Sequence, residues 1–258
     1  MESGSPLRPG SGAVLVTGGT SGIGLAVATN LVTQGRPVVV LGRDTGRAQA
    51  ARSALTTGAG GAGVLAAAVD TTDPDGLSAV VAEAESMWGA VDGLVTAAGR
   101  LARGTLVDLP LQEFRSAWET NVLGTWLALR AVAPGMVARG YGRIVTVGSV
   151  LGSTGAPARG GYAATKGAVA ALTRSIALEL ASSGVTVNCV APGPVGTPMN
   201  EGDAAGDDAA QKAFTAAIPV GRWGTPAEVA HAIVPLLAAE SGYTTGSVVM
   251  VDGGYTAR

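Results

Sequence analysis

Tyr162 and Lys166 are the residues of this sequence whose types and spacing most directly indicate chemistry. Residues four apart lie on one helical face, so a helix would place the lysine one turn above the tyrosine. A free phenol has a pKa near ~10, and a nearby ammonium group lowers it by favouring the phenolate. A shift of ~3 pKa units requires roughly 4 kcal/mol, which one close charge in a low-dielectric cleft can largely supply. The pair therefore predicts a tyrosine that exchanges a proton with an alcohol or carbonyl oxygen, although an exposed tyrosine beside a solvated lysine has the same spacing.

A glycine-rich segment follows the first apolar run of the chain. Residues 13–17 are strand-like, Gly18-x-x-x-Gly22-x-Gly24 comes next, and a helical pattern extends over residues 25–34. Between a strand and a helix, such glycines permit a tight turn, close approach of a pyrophosphate and a helix N-terminus directed at it. A plain turn between a strand and a helix is the alternative. The predicted dinucleotide contacts here are Gly18, Thr20, Ser21, Gly22, Ile23 and Gly24.

The ends of the second and third apolar runs carry residues that could select the dinucleotide. NAD-binding sites usually place a carboxylate after the second strand for the ribose 2′-hydroxyl, and the matching position here is Gly42. Arg43 comes next, and a guanidinium suits a 2′-phosphate, so we expect NADP(H) to be preferred over NAD(H). A solvated Arg43 paired with Asp44 is the alternative. Asp70, followed by Thr71, could accept from the adenine amino group or could instead begin a helix.

These residues need elements to position them, and hydrophobic periodicity predicts alternating strands and helices. Strand-like runs occupy residues 13–17, 37–41, 64–69, 91–97, 143–147, 185–190 and 247–251. Helical patterns occupy residues 25–34, 45–56, 74–88, 111–139 (with a break expected near Pro134), 162–182 and 226–239. This alternation favours an α/β fold: a single-domain, doubly wound Rossmann-type parallel sheet of about seven strands with helices on both faces. Ligands bind at the carboxyl ends of the strands in such sheets.

Composition excludes several classes of protein. The chain has 258 residues, is 47% hydrophobic and 14% charged, and carries a net charge of −2 without a dense lysine or arginine cluster. Nucleic acid and anionic membranes are therefore not expected as partners. With one cysteine, one histidine and no apolar run near 18 residues, we expect neither a metal site nor a membrane span. Residues 1–12 lack a signal core and predict a flexible tail before a domain of residues 13–258, in a reducing cytoplasm.

Further polar residues fall at the ends of the later strands. Ser149 ends the fifth run, Asn121 lies in a helical pattern where asparagine is a poor helix former, and Pro192-Gly193 follows the sixth run. The full set resembles the short-chain dehydrogenase/reductase family over about residues 13–254, and among its members the 3-oxoacyl-[acyl-carrier-protein] reductases. The residues that carry the resemblance are Thr17-Gly18-x-x-x-Gly22-Ile23-Gly24, Asn121, Ser149, Tyr162-x-x-x-Lys166, Pro192-Gly193 and Thr197.

The resemblance implies an oxidoreductase that interconverts a small-molecule ketone and a secondary alcohol by hydride transfer, assembled as a homotetramer. It implies that Tyr162 is the acid/base and that Ser149 holds the substrate oxygen. Lys166 would bind the nicotinamide ribose and tune Tyr162, and Asn121 would anchor a water relay to Lys166. The remaining implied cofactor contacts are Ala98, Gly99, Pro192, Gly193, the Val195 backbone and Thr197, the last two at the carboxamide.

The sequence departs from the family pattern after the fourth strand and leaves the substrate open. Where the family commonly has Asn-Asn-Ala-Gly, this chain has Thr96-Ala97-Ala98-Gly99, which predicts a modest loss of local hydrogen bonding. Carrier-docking arginines of such reductases align with Pro134 and Leu178, and the expected lid at 199–218 is acidic. We therefore expect a free or small-carrier carbonyl substrate. The alternatives are a carrier-bound 3-oxoacyl chain and a dinucleotide-binding protein without turnover.

Overall fold

Seven parallel strands form one sheet in the computed structural model, which describes residues 10–58, 61–200 and 215–257. The strands are β1 (Ala13–Thr17), β2 (Val38–Gly42), β3 (Val64–Ala68), β4 (Val91–Thr96), β5 (Gly142–Val147), β6 (Val185–Pro192) and β7 (Val248–Val251). Their order is β3-β2-β1-β4-β5-β6-β7, which confirms the predicted doubly wound sheet. Most residues of the expected tail at 1–12 and of the expected lid at 199–218 lie outside the described ranges.

Helices cover both faces of this sheet. They are α1 (Gly22–Thr33), α2 (Thr45–Gly58), α3 (Pro74–Trp88), α4 (Leu111–Trp118), α5 (Gly124–Arg139), α6 (Gly160–Leu180) and α7 (Pro226–Ile233). Local sequence explains where α3 begins and ends: the Asp73 carboxylate accepts from the N–H groups of Asp75 and Gly76, and Gly89 ends the helix with a φ of 77°. Among the described helices, none combines the length and the apolar composition that a bilayer crossing requires.

Alternation along β1 divides the hydrophobic core between the two faces. Val14 and Val16 pack with α1, α2 and α7, whereas Ala13 and Leu15 pack with α3, α5 and α6. Because successive side chains of a strand point to opposite faces, a strand buried on both sides is apolar at every such position. Burial of one large aliphatic side chain such as Leu15 contributes about 1.5–3 kcal/mol, so a charged residue here would disrupt the core.

The sheet winds outward in two directions from β1. This strand pairs with β2 on one side and with β4 on the other, and the chain reaches β4 only after completing β2 and β3. A crevice forms at the carboxyl ends of two neighbouring strands where the winding reverses, and that crevice is where ligands bind in doubly wound sheets. The glycine turn after β1 and the segment after β4 border it.

The expected break near Pro134 is wrong. Helix α5 continues through Pro134, although proline supplies no N–H for the helical ladder. The side chains of Ala128, Val132 and Met136 are buried against the sheet and α3, which holds the helix in place. The irregularity lies instead at Glu119–Leu123, where a π-helix joins α4 to α5.

A buried ion pair fastens the end of the sheet opposite the crevice. The Arg36 guanidinium lies 2.6 Å from the Asp92 carboxylate and donates to the Leu237 carbonyl at 2.8 Å. Asp92 also accepts from the backbone N–H of Gly12 at 2.9 Å. Removing one partner of such a pair typically costs about 3–5 kcal/mol. These contacts join the amino ends of β1 and β4. The ion pair and the ligand crevice therefore lie at opposite ends of the sheet.

Cys189 lies in the middle of β6 and is buried, as its apolar surroundings predict. Its Sγ faces Gly148, where an added Cβ would come within 2.6 Å of the sulfur. Burial raises the pKa of this thiol. A raised pKa keeps the sulfur protonated and unreactive, so Cys189 acts as a small core residue.

Candidate active site

A cavity of about 510 Å³ lies at the carboxyl ends of β1, β4, β5 and β6. Many predicted site residues line it, whereas Thr20, Gly24, Arg43, Asp70, Thr71 and Asn121 are not among its lining residues. The predicted residues that do line it are Gly18, Ser21, Gly22, Ile23, Ala98, Gly99, Ser149, Tyr162, Lys166, Pro192, Gly193, Val195 and Thr197.

The glycine turn after β1 has the shape that a pyrophosphate needs. Gly18 has a φ of 65°, and a Cβ there would come within 2.6 Å of the Ala98 N–H nitrogen. At Gly24 a Cβ would overlap the Gly18 carbonyl, so α1 packs directly on the turn. Ser21 makes no side-chain cap, and α1 has no acidic residue in its first turn. The N–H groups at the start of α1 can therefore bind phosphate, and the turn fits a dinucleotide.

The end of β2 excludes a carboxylate side chain of the kind that binds a ribose 2′-hydroxyl. An added Cβ at Gly42 would come within 2.7 Å of the Thr20 hydroxyl, so Thr20 fills the space beside the glycine. Arg43 is exposed, and its expected alternative partner Asp44 instead accepts from the Arg47 N–H at 2.7 Å. An exposed guanidinium at this position suits a phosphate.

Asp70 and Thr71 follow β3 but do not reach the cavity lining. The Asp70 carboxylate accepts from the backbone N–H of Thr72 at 2.9 Å and from its hydroxyl at 2.8 Å. The cap of α3 is Asp73, so Asp70 does not begin that helix. Thr71 is buried against Gly124, where an added Cβ would come within 2.6 Å of the Thr71 hydroxyl.

Helix α6 and strand β5 bring Tyr162, Lys166 and Ser149 together. The helix begins at Gly160, so Tyr162 lies in its first turn and Lys166 in its second. The Lys166 ammonium lies 5.7 Å from the centre of the Tyr162 ring and donates to the Val147 carbonyl at 2.8 Å. Ser149 follows the end of β5, and its hydroxyl accepts from the Leu151 N–H at 3.2 Å. Its interaction with the Tyr162 phenol acts to lower the pKa of that phenol. The arrangement presents two hydroxyl groups and one ammonium group to the same cavity.

The expectation that Lys166 lowers the pKa of Tyr162 is not met by the protein groups alone. Burial raises the pKa of Tyr162 to about 12, and the Ser149 hydrogen bond opposes this shift only in part. Burial also lowers the pKa of Lys166 to about 8. Both shifts have one physical cause, since a low-dielectric site disfavours the charged form of each group. Tyr162 is therefore protonated at neutral pH, which is the form that can donate a proton.

Asn121 lies in the π-helix and ties three elements together. Its side-chain oxygen accepts from the Arg100 N–H at 2.7 Å, and its amide donates to the Arg100 carbonyl at 2.9 Å. The amide also donates to the Thr165 hydroxyl at 2.8 Å, and Thr165 is the residue before Lys166. Thr165 donates in turn to the Tyr162 carbonyl at 2.7 Å. Asn121 thus holds the first turns of α6 against the segment after β4.

The turn after β6 is fixed by a segment from further along the chain. Gly224 donates to the Pro194 carbonyl at 2.9 Å and accepts from the Gly196 N–H at 3.0 Å. The Val195 carbonyl accepts from the Asn200 side chain at 2.9 Å. Thr197 lies across the cavity from the glycine turn, with its methyl group 3.4 Å from the Cβ that Gly22 would carry. Gly22 and Thr197 therefore lie close together on facing sides of the predicted cofactor site.

Comparisons with known proteins agree with this geometry. A family model described as enoyl-(acyl carrier protein) reductase matches residues 18–256. The chain is 37% identical to 2-(S)-hydroxypropyl-CoM dehydrogenase 3 of Xanthobacter autotrophicus, over 95% of this chain and 96% of that protein. It is 38% identical to the 3-oxoacyl-[acyl-carrier-protein] reductase FabG of Vibrio cholerae, over 93% and 95%. The structure of a variant of actinorhodin polyketide ketoreductase with NADPH superimposes with a TM-score of 0.89 at 33% identity, over 96% and 98%.

The chain belongs to the short-chain dehydrogenase/reductase family. It is therefore an oxidoreductase of small molecules with a site for a nicotinamide dinucleotide. The family model covers the chain from the glycine turn through β7, so the family assignment applies to six of the seven described strands and to the crevice.

This dehydrogenase/reductase replaces part of the usual bonding after β4. Thr96 is buried, and its hydroxyl has no hydrogen-bond partner among the described residues. Thr17 supplies two contacts instead, because its carbonyl accepts from the Ala97 N–H at 3.1 Å and its hydroxyl from the Ala98 N–H at 3.3 Å. The segment that borders the glycine turn is therefore held by backbone and Thr17 contacts.

Sequence reasoning missed several residues of the dehydrogenase/reductase site. Thr165 carried no signal, because its role depends on a contact with Asn121 from a distant helix. Arg159 lies three residues before Tyr162, but the sequence does not show that Arg159 lines the cavity. Further lining residues that were not predicted are Leu101, Val150, Leu151, Ala156, Pro157, Trp223 and Tyr255, whereas Met199 and Asn200 fall in the expected lid.

Proposed function

We propose that the protein is an NADP(H)-dependent oxidoreductase that interconverts a ketone and a secondary alcohol, with Tyr162 as the acid/base. The observation that carries this proposal is the meeting of Ser149, Tyr162 and Lys166 in a cavity that the glycine turn also lines. A ketoreductase with NADPH among the solved relatives supports it. The rival of a dinucleotide-binding protein without turnover has no feature of this site in its favour.

The side chains would divide the reaction among themselves. NADPH, when bound, supplies the hydride. The Ser149 hydroxyl donates a hydrogen bond to the substrate oxygen, and Tyr162 donates its proton to that oxygen as negative charge develops there. Lys166 would hold the ribose hydroxyls with its ammonium group. Asn121 fixes the start of α6 and so orients both Tyr162 and Lys166.

Two features of β2 support the preference for NADP(H). Gly42 offers no carboxylate, and Thr20 occupies the space that a larger side chain would need. Arg43 is exposed beside it and can bind a 2′-phosphate through its guanidinium. Asp70 is the candidate partner of the adenine amino group, with Thr71 beside it.

A carrier-bound 3-oxoacyl substrate is the second candidate, favoured by the similarity to the Vibrio cholerae reductase. The faces of α5 and α6 argue for a free or small-carrier substrate instead. Pro134 and Leu178 stand where docking arginines are expected, and Leu178 is 82% exposed without any charge. Three arginines could substitute for them: Arg130, Arg139 and Arg174. Arg139 forms an ion pair with Glu85 at 3.0 Å and donates to the Val91 carbonyl, whereas Arg130 and Arg174 are exposed.

Steady-state kinetics test two parts of this proposal: that the protein turns over a ketone, and that the substrate is not bound to a carrier protein. A panel of ketones with NADPH, followed by NADPH absorbance, should reveal at least one substrate, and a panel without any turnover would contradict the enzymatic proposal. The same 3-oxoacyl group should then be offered on acyl carrier protein and on a short thiol mimic over a salt series. We expect similar kcat/KM values, because the positions aligned with the docking arginines, Pro134 and Leu178, carry no charge. A carrier advantage above roughly tenfold that fades with salt would establish electrostatic docking.

The assembly and location are also part of the proposal. A homotetramer is supported by exposed apolar side chains on α4 and α5, which include Leu111, Trp118 and Trp126. A cytoplasmic location rests on the sequence features given above and stays a prediction.

A further inference from the structure

Helix α6 carries Tyr162 in a first turn that its own sequence holds only weakly. The helix begins with Gly160 and Gly161, and glycine loses more conformational freedom in a helix than any other residue. Arg159 precedes the helix and makes no side-chain cap, because a guanidinium has no acceptor for the first N–H groups. The first turn also has no acidic residue to interact with the helix dipole. Contacts from outside this turn must therefore keep Tyr162 in place.

Packing accounts for one of the two glycines. A Cβ at Gly161 would come within 2.7 Å of the Leu109 side chain, so the segment before α4 lies directly against the helix there. At Gly160, which is exposed, an added Cβ would have nothing within 4 Å. Gly160 therefore adds conformational freedom to the start of α6 without a packing contact that requires glycine.

The hydroxyl of Thr165 fixes this turn from its buried side. It donates to the Tyr162 carbonyl at 2.7 Å and accepts from the Asn121 side-chain amide at 2.8 Å. A carbonyl can only accept, so the single proton of the Thr165 hydroxyl goes to Tyr162 and its oxygen accepts from Asn121. Thr165 is fully buried and Asn121 is 1% exposed. Loss of the hydroxyl would therefore leave an amide N–H of Asn121 buried without this partner, which is a costly arrangement.

Asn121 is itself fixed on its other side by the segment after β4. Its side-chain oxygen accepts from the Arg100 N–H at 2.7 Å, and its amide donates to the Arg100 carbonyl at 2.9 Å. Arg100 follows Gly99, which lines the cavity. The hydrogen bonds thus form a chain in one direction that begins at the Arg100 N–H and ends at the Tyr162 carbonyl. Neighbouring bonds in such a chain strengthen one another.

Lys166 has a further anchor that does not involve this chain. Its ammonium group donates to the Val147 carbonyl at 2.8 Å, which is a contact with β5. Removal of the Thr165 hydroxyl leaves this contact in place. The loss should therefore affect the position of Tyr162 more than the cofactor contact proposed for Lys166.

We infer that Thr165 is a positioning residue: its hydroxyl holds the Tyr162 backbone in the first turn of α6 and so places the phenol for proton transfer. The inference rests on the proposed function, because it assigns the phenol the same role. Thr165 is not among the described lining residues of the cavity, so it acts through Tyr162 and not on the substrate.

A second threonine of α6 provides a matched control for a kinetic test. Thr173 lies about two turns further along the helix. It is also fully buried, donates to the Val169 carbonyl at 2.9 Å and pairs with the Thr146 hydroxyl at 2.7 Å. Thr165→Val should lower kcat for a ketone by roughly 10-fold to 100-fold relative to Thr173→Val, because small misplacements of reacting groups cost that much. The dissociation constant for NADPH should change by less than about threefold.

Thr165→Ser keeps the hydroxyl and should keep kcat within about threefold of the wild type. A loss of kcat in Thr165→Val below roughly tenfold, or the same loss in Thr165→Ser, overturns the inference. A loss of NADPH affinity as large as the loss of kcat would place the effect on the cofactor and also overturn it.

A second substitution separates positioning from a general loss of stability. Gly160→Ala fills open space and restricts the first turn of α6. In the Thr165→Val background it should raise kcat by roughly twofold to fivefold, whereas in Thr173→Val and in the wild type it should leave kcat nearly unchanged. No recovery in the Thr165→Val background would contradict the weakness of this turn and overturn the inference.

Hydrogen exchange tests the same contact without substrate or cofactor. In the unliganded protein, the backbone amides of residues 163–167 should exchange roughly 5-fold to 150-fold faster in Thr165→Val than in the wild type. Thr165→Ser and Thr173→Val should leave exchange in this segment nearly unchanged. Unaltered exchange in Thr165→Val overturns the inference, even in an active enzyme. Faster exchange in a protein that reduces no ketone supports the role of Thr165 and contradicts the proposed function instead.

Discussion

The proposed reaction uses the hydroxyl of Tyr162, and phenylalanine keeps the ring without this hydroxyl. Tyr162→Phe should lower kcat by ~10²–10⁴, because general acid catalysis is lost while the fold is kept. The dissociation constant for NADPH, measured by fluorescence titration, should change by less than about threefold, since Lys166 and the glycine turn remain. Tyr141→Phe is the matched control, because the Tyr141 hydroxyl has no hydrogen-bond partner among the described residues. A Tyr162→Phe enzyme with more than roughly a tenth of wild-type kcat would remove Tyr162 from the mechanism.

The pKa of Lys166 predicts a pH limit for cofactor use. With a pKa of about 8, Lys166 carries its charge below that value and loses it above. The charged form is the one proposed to hold the ribose, so kcat/KM for NADPH should be level below about pH 8 and fall above it. This parameter reports ionisations of the free enzyme. In Lys166→Arg the decline should vanish, because a guanidinium stays charged throughout this range. A decline at the same pH in Lys166→Arg would assign it to another group.

Arg43 should determine the choice between the two nicotinamide cofactors. A charge-assisted bond to the 2′-phosphate is worth ~1.5–3 kcal/mol, so the wild type should prefer NADPH over NADH by roughly 10–150-fold in kcat/KM. Arg43→Ala should erase most of this preference by weakening the use of NADPH alone. Arg52→Ala on α2 provides a control for loss of one surface charge. Equal kcat/KM for both cofactors in the wild type would refute the assignment.

The sequence identified the residues of the site better than it predicted how deeply each one is buried. Tyr162, Lys166 and Ser149 line one cavity as expected, together with Gly18 and Gly22 of the glycine turn but not Gly24. The direction of the Tyr162 pKa was wrong, because spacing shows which charge is near but not how completely water is excluded. Arg159 was missed for a related reason: a lone arginine in a loop has no periodic pattern that reveals its direction.

The glycine turn and α1 form one element of the site, and Gly24 is where they touch. Gly24→Ala would drive a Cβ into the Gly18 carbonyl, so the start of α1 must shift away from the turn. We expect a roughly 5-fold to 150-fold weaker NADPH affinity, since overpacking costs about 1–3 kcal/mol. Gly160→Ala makes the same change in the first turn of α6 where nothing lies within 4 Å, and it should leave affinity unchanged. NADPH titrations of both variants, with unfolding curves for each, make the comparison. Undiminished affinity in Gly24→Ala would show that the turn tolerates displacement.

The segment that joins α4 to α5 has a conformation that local sequence patterns do not predict. Asn121 was singled out because asparagine is a poor helix former, and the irregularity is indeed there. Its form as a π-helix, and the continuation of α5 through Pro134, were not predicted. Local propensity disfavours both arrangements, and contacts with distant segments decide them: Arg100 and Thr165 for Asn121, and the sheet for α5. Tertiary contacts routinely outweigh propensities of this size.

The exposed apolar surface of α4 and α5 bears on how copies of the protein associate. Trp118 and Trp126 are 41% and 44% exposed, and Phe114 stacks on Trp118. Exposed aromatic side chains of this kind favour association. Trp126→Glu should therefore shift the proposed tetramer towards smaller species in light scattering, whereas Ala54→Glu on α2 should not. A wild type that is monomeric at micromolar concentration, or an unaltered mass in Trp126→Glu, would contradict this interface.

The sheet was predictable because all its strands share one strong signal. Most strands are short, largely apolar runs followed directly by glycine or a polar residue, and the observed ends differ from the predicted ones by at most two residues. A parallel sheet covered on both faces demands this pattern. The ion pair between Arg36 and Asp92 was not predictable from a local pattern, because the two residues are 56 positions apart in the sequence.

The buried thiol of Cys189 makes the protein convenient for site-specific labelling. It is the single cysteine of the chain and is fully covered in β6, with a pKa raised by burial. Maleimide reagents react with exposed thiolates, so the native protein should take up almost no dye while folded. A cysteine introduced at an exposed position would then be the sole attachment point, without any prior removal of native sulfur. A fluorophore at position 52, on the exposed face of α2, would leave the predicted cofactor contacts unaltered.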